Sequence, residues 1–171
     1  EAPRQGSLAP ENEALIELRG QNCFREGLRG LSEFEYIWVI YEFHLNENWH
    51  PLVQPPRKNI DKLGVFATRS PHRPNRIGLS CVRLVDIVGE KLRIAKHDLL
   101  DGTPIIDLKP YIPYADAFPD ASAGWVDRHE EIEYERGYSD GYDGYPPSAS
   151  STVDYDLGYD QGSADFKDTK Y

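Results

Sequence analysis

Residues 79–100 read LSCVRLVDIVGEKLRIAKHDLL, two apolar-rich runs joined at Val88-Gly89-Glu90-Lys91. In the second run Leu92 and Ile94 alternate with Lys91 and Arg93, the period of two that a half-buried strand requires. The VGEK junction predicts a tight hairpin between antiparallel strands. Upstream, EYIWVIYEFHL at 35–45 is β-branched and aromatic throughout. It is too short and too bulky for a preferred helix, and reads as a core strand buried on much of both faces. ALIELRG at 14–20 supplies one short strand, and DGTPIIDLKPYIPY at 101–114 another apolar run after an Asp-Gly turn. REGLRGL at 25–31 holds too many glycines for more than a turn or two of helix. Short strands at regular spacing, with almost no helical period, predict an all-β fold, a small antiparallel barrel or a sandwich.

The 171 residues suit one domain with a core of its own and a tail. No apolar run approaches the roughly 18 residues of a spanning helix, and no charged-then-apolar leader opens the chain. The expectation is a soluble, intracellular, cytoplasmic protein. The chain contains no Met and begins at Glu1, which reads as a processed or trimmed product. Its formal charge of −10 is unevenly spread: residues 127–171 carry 12 acidic and 4 basic side chains, while residues 57–96 carry 10 basic and 3 acidic ones. A polyanion can be met by the middle of the chain and is repelled by its end. From Asp127 the composition turns to Gly, Tyr, Ser and Asp without aliphatic periodicity. That predicts a boundary near 126 and a largely irregular acidic tail over 127–171. In the alternative the Tyr rows pack on the domain or on a partner.

The stretch GVFATRSPHRPNRIGLS at 64–80 places Arg69, Arg73 and Arg76 in a loop stiffened by Pro71 and Pro74. Each proline fixes its own φ and pushes the residue before it toward extended geometry. Asn75 tolerates left-handed backbone, and Gly78 permits a close main-chain approach. Guanidinium pairs bidentately with carboxylate or phosphate, so the loop suits an anionic partner. A rigid connector with solvated arginines is the alternative. The DGTP turn at 101–104 offers backbone donors and acceptors at a strand end, and is first of all a turn. Cys23 and Cys81 lie far apart, and the five histidines form no HxxxH or HxH pair, so free thiols and no metal are expected. There is no GxGxxG, P-loop or nucleophile elbow.

Taken in order, PRQ at 3–5, the strand ending FH at 43–44, WHPLVQPPR, GVFATRSPHRPNRIGLS and DLLDGTPIIDLKPYIPYAD closely resemble the TsaA-like (TrmO) family of tRNA methyltransferases. The resemblance runs from about Pro3 to Gly124 and leaves the tail outside. It implies a small antiparallel β-barrel over residues 1–126 that binds S-adenosylmethionine without a Rossmann fold. It also implies a homodimer that N6-methylates threonylcarbamoyl-adenosine beside the anticodon, so that the partner is a tRNA anticodon loop. The family has a strand ahead of PRQ, so this chain is expected to lack the first barrel strand. By position, the family's cofactor contacts fall on Gln5, Gly6, Ser7, His44, Arg69, Leu79, Leu99, Leu100, Asp101 and Gly102. Arg73, Asn75 and Arg76 are then the candidates for substrate. This chain reads RPNRIG where the family usually has RPNPIG, and Gly-Ser after PRQ in place of Pro-Gly. The proton acceptor is left open between Asp101 and Asp107. A small-molecule methyltransferase on the same fold, a non-catalytic adenosine- or RNA-binding module, and a purely structural barrel are the rival readings.

Overall fold

A computed structural model describes residues 12–19, 23–55, 60–143, 146–148 and 153–168. The chain divides into two compact units, Glu1–Ala117 and Phe118–Tyr171. In the first, β1 (Glu13–Glu17), β2 (Tyr36–Glu42), β5 (Ile77–Val88), β6 (Lys91–Ala95) and β7 (Ile105–Pro110) form one antiparallel sheet in the order β1-β6-β5-β2-β7. The hairpin expected at 79–100 is present. Gly89, at φ 65, makes its turn, and Val88 pairs with Lys91.

Alternation settles which face of the sheet is the core. In β2, Ile37, Val39 and Tyr41 are buried and their neighbours are half-buried, so one face carries the core where burial on both was expected. Those three residues pair across to Val82, Ser80 and Gly78 of β5. Leu92 and Ile94 of β6 and Ile16 of β1 extend the layer, covered by Leu28, Leu31, Phe43 and Leu99. Each large aliphatic side chain buried in this way contributes about 1.5–3 kcal/mol.

The expected barrel does not close among the described residues: β1 and β7 are the sheet's edges. Charge protects both, through Glu13 and Glu17 on β1 and Asp107 and Lys109 on β7. A register shift of β7 against Ile40 and Tyr41 bends that edge. GVFATR at 64–69 has the composition of a strand and forms almost none. Only Leu63–Gly64 (β4) pairs, with Leu52–Val53 (β3), and Val65–Ala67 winds into a 3₁₀ turn. The Thr68 hydroxyl donates to the Val65 carbonyl at 2.9 Å and closes that turn. Two short helices, α1 (Cys23–Gly27) and α2 (Pro113–Asp116), complete the unit.

The tail is the larger correction. Its described residues form two helices, α3 (Trp125–Asp143) and α4 (Val153–Asp168). The Asp127 carboxylate accepts the Ala123 N–H at 2.6 Å where α3 begins. Among the described side chains, the buried stripe of α3 is His129, Glu133, Gly137 and Gly141, and that of α4 is Tyr155, Gly158 and Gly162. Polar and glycine stripes carry no hydropathy period, which is why the pattern predicted irregular chain. A Cβ built on Gly137 lies 2.0 Å from the Tyr155 carbonyl oxygen, and one on Gly158 lies 2.1 Å from that of Tyr134. The two backbones touch where only glycine fits. Among the described residues no helix is long and apolar enough to cross a membrane, and no cluster of His, Cys, Asp and Glu could hold a metal.

Candidate functional site

The end of β2 is clamped between two loops. The Phe43 N–H donates to the Arg76 carbonyl at 2.8 Å, and the Glu42 N–H to that of Pro104 at 3.0 Å. The loop after β6 is itself tied down. Asn12 brackets His97, its Nδ2 donating to the His97 carbonyl at 3.0 Å and its Oδ1 accepting the His97 N–H at 3.3 Å. The buried His97 ring accepts the Leu99 N–H on Nδ1 at 3.2 Å. Gly102, at φ 76, makes the DGTP turn, and the Thr103 hydroxyl donates to the Leu100 carbonyl at 2.7 Å. Between these loops lies a cavity of about 220 Å³, lined by Tyr41, Glu42, His44, Pro71, Asp98 and Leu100 among others.

The arginines of the stiff loop part company. Arg73 donates to the Val65 and Thr68 carbonyls at 3.1 and 2.8 Å and lies over the Phe66 ring, 5.7 Å from its centroid. It braces its own loop. Arg76 donates to the Asn46 carbonyl at 3.2 Å and pairs with Glu42 at 3.0 Å. The left-handed backbone that suited Asn75 falls on Arg76, at φ 44, and Asn75 is exposed in the turn beside it. Arg69 is exposed and makes no hydrogen bond or ion pair among the described residues. Arg73→Ala is expected to cost about 1–3 kcal/mol, because two carbonyls lose a charged donor. Faster amide exchange over residues 65–73 and a lower melting temperature check it, with Arg73→Lys recovering only part because a single ammonium replaces a planar fork.

The structure brings some of the expected cofactor residues together and not others. His44 and Leu100 line the cavity. Leu99 packs against the core, and Asp101 and Gly102 are exposed at the turn. Leu79 points away, on the face of β5 opposite Gly78 and Ser80 and 56% exposed. Gln5, Gly6 and Ser7 lie outside the described residues. Asp107 is on the β7 edge, where Lys109 at 2.8 Å holds its carboxyl below the usual range.

Sequence reasoning missed a polar chain beneath the cavity. Ser80 Oγ donates to Asp98 Oδ1 at 2.6 Å, and Tyr41 Oη lies 3.2 Å from Ser80 Oγ. Burial pushes the Tyr41 phenol up, which keeps it a donor. The signal was available, since alternation places Tyr41 and Ser80 on the aliphatic face of paired strands. A larger concavity of about 640 Å³ surrounds the turn between β5 and β6. Its Arg19 and Lys91 are paired with Glu17 at 3.1 and 2.7 Å, so their charge is already answered inside the chain.

Comparison with known proteins matches residues 1–117 to the tRNA-methyltransferase O N-terminal domain. A tRNA (adenine(37)-N6)-methyltransferase of Escherichia coli K12 is 41% identical over 131 residues, covering 72% of this chain and 56% of the relative. A probable S-adenosyl-L-methionine-binding protein of Pyrococcus abyssi is 43% identical, covering 75% of this chain and 68% of its own length. The crystal structure of TrmO from Pseudomonas aeruginosa superposes with a TM-score of 0.59 at 43% identity, covering 71% of this chain and 52% of that one. The chain thus spans only about half the length of the Escherichia and Pseudomonas proteins.

Proposed function

The chain belongs to the tRNA-methyltransferase O N-terminal domain family, and on that premise we propose that it binds S-adenosylmethionine and methylates N6 of the threonylcarbamoyl-adenosine next to a tRNA anticodon. The observation that carries the reading is the convergence of His44, Pro71, Asp98 and Leu100 on one cavity in a unit that the family covers almost end to end. The residues fit the cofactor's chemistry. Leu100 and Pro71 offer apolar surface to a base, and the His44 ring lines the same cavity. When bound, S-adenosylmethionine supplies the methyl as an electrophile. The protein then has to orient the two reactants and exclude water.

We assign Gln5, Gly6, Ser7, His44, Arg69 and Leu99 through Gly102 to the cofactor side, with Leu79 able to contribute through its backbone. Arg69, whose guanidinium is uncommitted among the described residues, suits the cofactor carboxylate or an RNA phosphate; Arg73 and Arg76 also brace this part of the chain, and with Asn75 they are assigned to the side that meets the tRNA substrate. A cytoplasmic homodimer completes the proposal. Its support is the face of β2 and β5 away from the core, where Ile77 and Leu79 are half exposed.

Calorimetry of the full chain with S-adenosylmethionine, followed by methyl transfer to tRNA carrying threonylcarbamoyl-adenosine, tests the reading. Saturable binding and labelled RNA are expected. A folded chain that binds neither cofactor nor RNA would overturn it. Arg69→Ala is expected to weaken cofactor affinity roughly tenfold through loss of a charge-assisted hydrogen bond without lowering the melting temperature; unchanged affinity would remove Arg69 from the cofactor side.

A further inference from the structure

The cavity is lined by two carboxylates, Glu42 and Asp98, and their surroundings differ. Glu42 pairs with the Arg76 guanidinium at 3.0 Å. Asp98 has no ion pair among the described residues, and its one hydrogen bond comes from Ser80 at 2.6 Å on Oδ1. An ionised carboxylate only accepts, so the Ser80 hydroxyl donates to it. The serine oxygen is then left to accept from the buried Tyr41 phenol, 3.2 Å away. The chain therefore runs Tyr41 to Ser80 to Asp98 and leaves Oδ2 without a donor among the described residues. The main chain around Asp98 is held as firmly, by the Asn12 bracket on His97 and by the bond from Leu99 N–H to the His97 ring.

The geometry points to Asp98 as the proton acceptor of the methyl transfer, with Ser80 and Tyr41 as positioning residues. The inference rests on the methyltransferase reading. As the N6 lone pair forms the bond to the methyl carbon, the S–CH₃ bond breaks and its electron pair stays on sulfur as a thioether. The N6 proton then passes to Asp98 Oδ2. During the transfer positive charge leaves sulfur and develops on N6. A carboxylate beside the sulfonium would favour the ground state, whereas one beside N6 favours the transition state. A nitrogen that is gaining a methyl becomes strongly acidic, so a carboxylate placed beside it can take the proton. Asp101 and Asp107, between which the sequence leaves the acceptor open, lie respectively at an exposed turn and in an ion pair with Lys109 on the sheet edge.

The test uses the full chain with Asp98→Asn, Ser80→Ala and His44→Gln, the last because His44 carries the other titratable ring at the cavity. The first readout is S-adenosylmethionine affinity by calorimetry; the second is single-turnover transfer to threonylcarbamoyl-adenosine tRNA at saturating cofactor. Asp98→Asn keeps the acceptor for Ser80 and preserves the fold. It is expected to hold cofactor affinity within about threefold while transfer falls about 100-fold or more. Ser80→Ala is expected to lose roughly tenfold in transfer through misplacement of the carboxylate.

Transfer by Asp98→Asn within about threefold of wild type would overturn the assignment. So would a cofactor affinity weakened more than about tenfold with undiminished transfer at saturation, or loss of transfer confined to His44→Gln. A wild-type chain that binds cofactor and methylates no RNA would instead overturn the acceptor reading on which this role depends.

Discussion

Gly78→Ala is expected to destabilise the first unit by about 2–3 kcal/mol, a fall of roughly 10 °C in melting temperature, and to weaken cofactor binding with it. A Cβ at this position meets Cε2 and Cζ of Tyr41 at 2.4 Å. Gly78 and Tyr41 face each other across β5 and β2, so the aromatic ring lies over the glycine on the core face. The ring cannot swing away without cost, because Tyr41 is buried and its hydroxyl is engaged with Ser80. Displacing it disturbs the wall of the cavity and the support of Asp98 together. Pairing Gly78→Ala with Tyr41→Leu is expected to recover most of the lost stability but not the binding, since the clash goes and the phenol with it. Thermal denaturation of the single and double variants checks the first half, and calorimetry with S-adenosylmethionine the second. A fully stable Gly78→Ala would show that the ring does not occupy the position described.

The second large effect is expected in the tail. Gly158→Ala puts a methyl carbon 2.1 Å from the Tyr134 carbonyl oxygen and 2.9 Å from the Tyr138 nitrogen, and main-chain atoms within a helix have no room to yield. A unit of this size has only about 3–5 kcal/mol of stability to lose, and an overpacked contact costs a large share of it. The helical signal of residues 125–143 and 153–168 should therefore fall sharply in far-ultraviolet circular dichroism. Leu157→Ala, at the neighbouring exposed position, should leave it unchanged, since alanine is at least as good a helix former. Equal helicity in both variants would refute the glycine contact. Tyr155→Phe offers a milder comparison, because it removes only the hydroxyl that donates to Asp140.

Much of the first unit was legible because its strands announce themselves through alternation. Leu92 and Ile94 against Lys91 and Arg93, and the aromatic and β-branched run at 36–42, identified β6 and β2. The linked motifs identified the family and, with it, the loops that converge on the cavity. Two features were illegible for local reasons. GVFATR has strand composition, yet Thr68 and Arg73 satisfy the Val65 carbonyl and turn the chain into a 3₁₀ segment. The tail has the composition of irregular chain, yet Gly137 and Gly158 let two helices meet backbone to backbone, a contact that no hydropathy pattern encodes.

The antiparallel strands, their hairpin and the family could be read from the chain alone, because each depends on local period or on a run of contiguous residues. What each polar group does depends on long-range placement. The tertiary structure engaged Arg73 with the Val65 and Thr68 carbonyls and Arg76 with Glu42 and the Asn46 carbonyl, left Arg69 uncommitted among the described residues, set Leu79 on the face opposite Ser80 and brought Tyr41, Ser80 and Asp98 into one hydrogen-bonded chain. A side chain's task is set by which donor or acceptor lies within about 3 Å of it. Residues 39 and 18 positions apart, as Tyr41–Ser80 and Ser80–Asp98 are, come within that distance only when strand register and loop geometry have placed them.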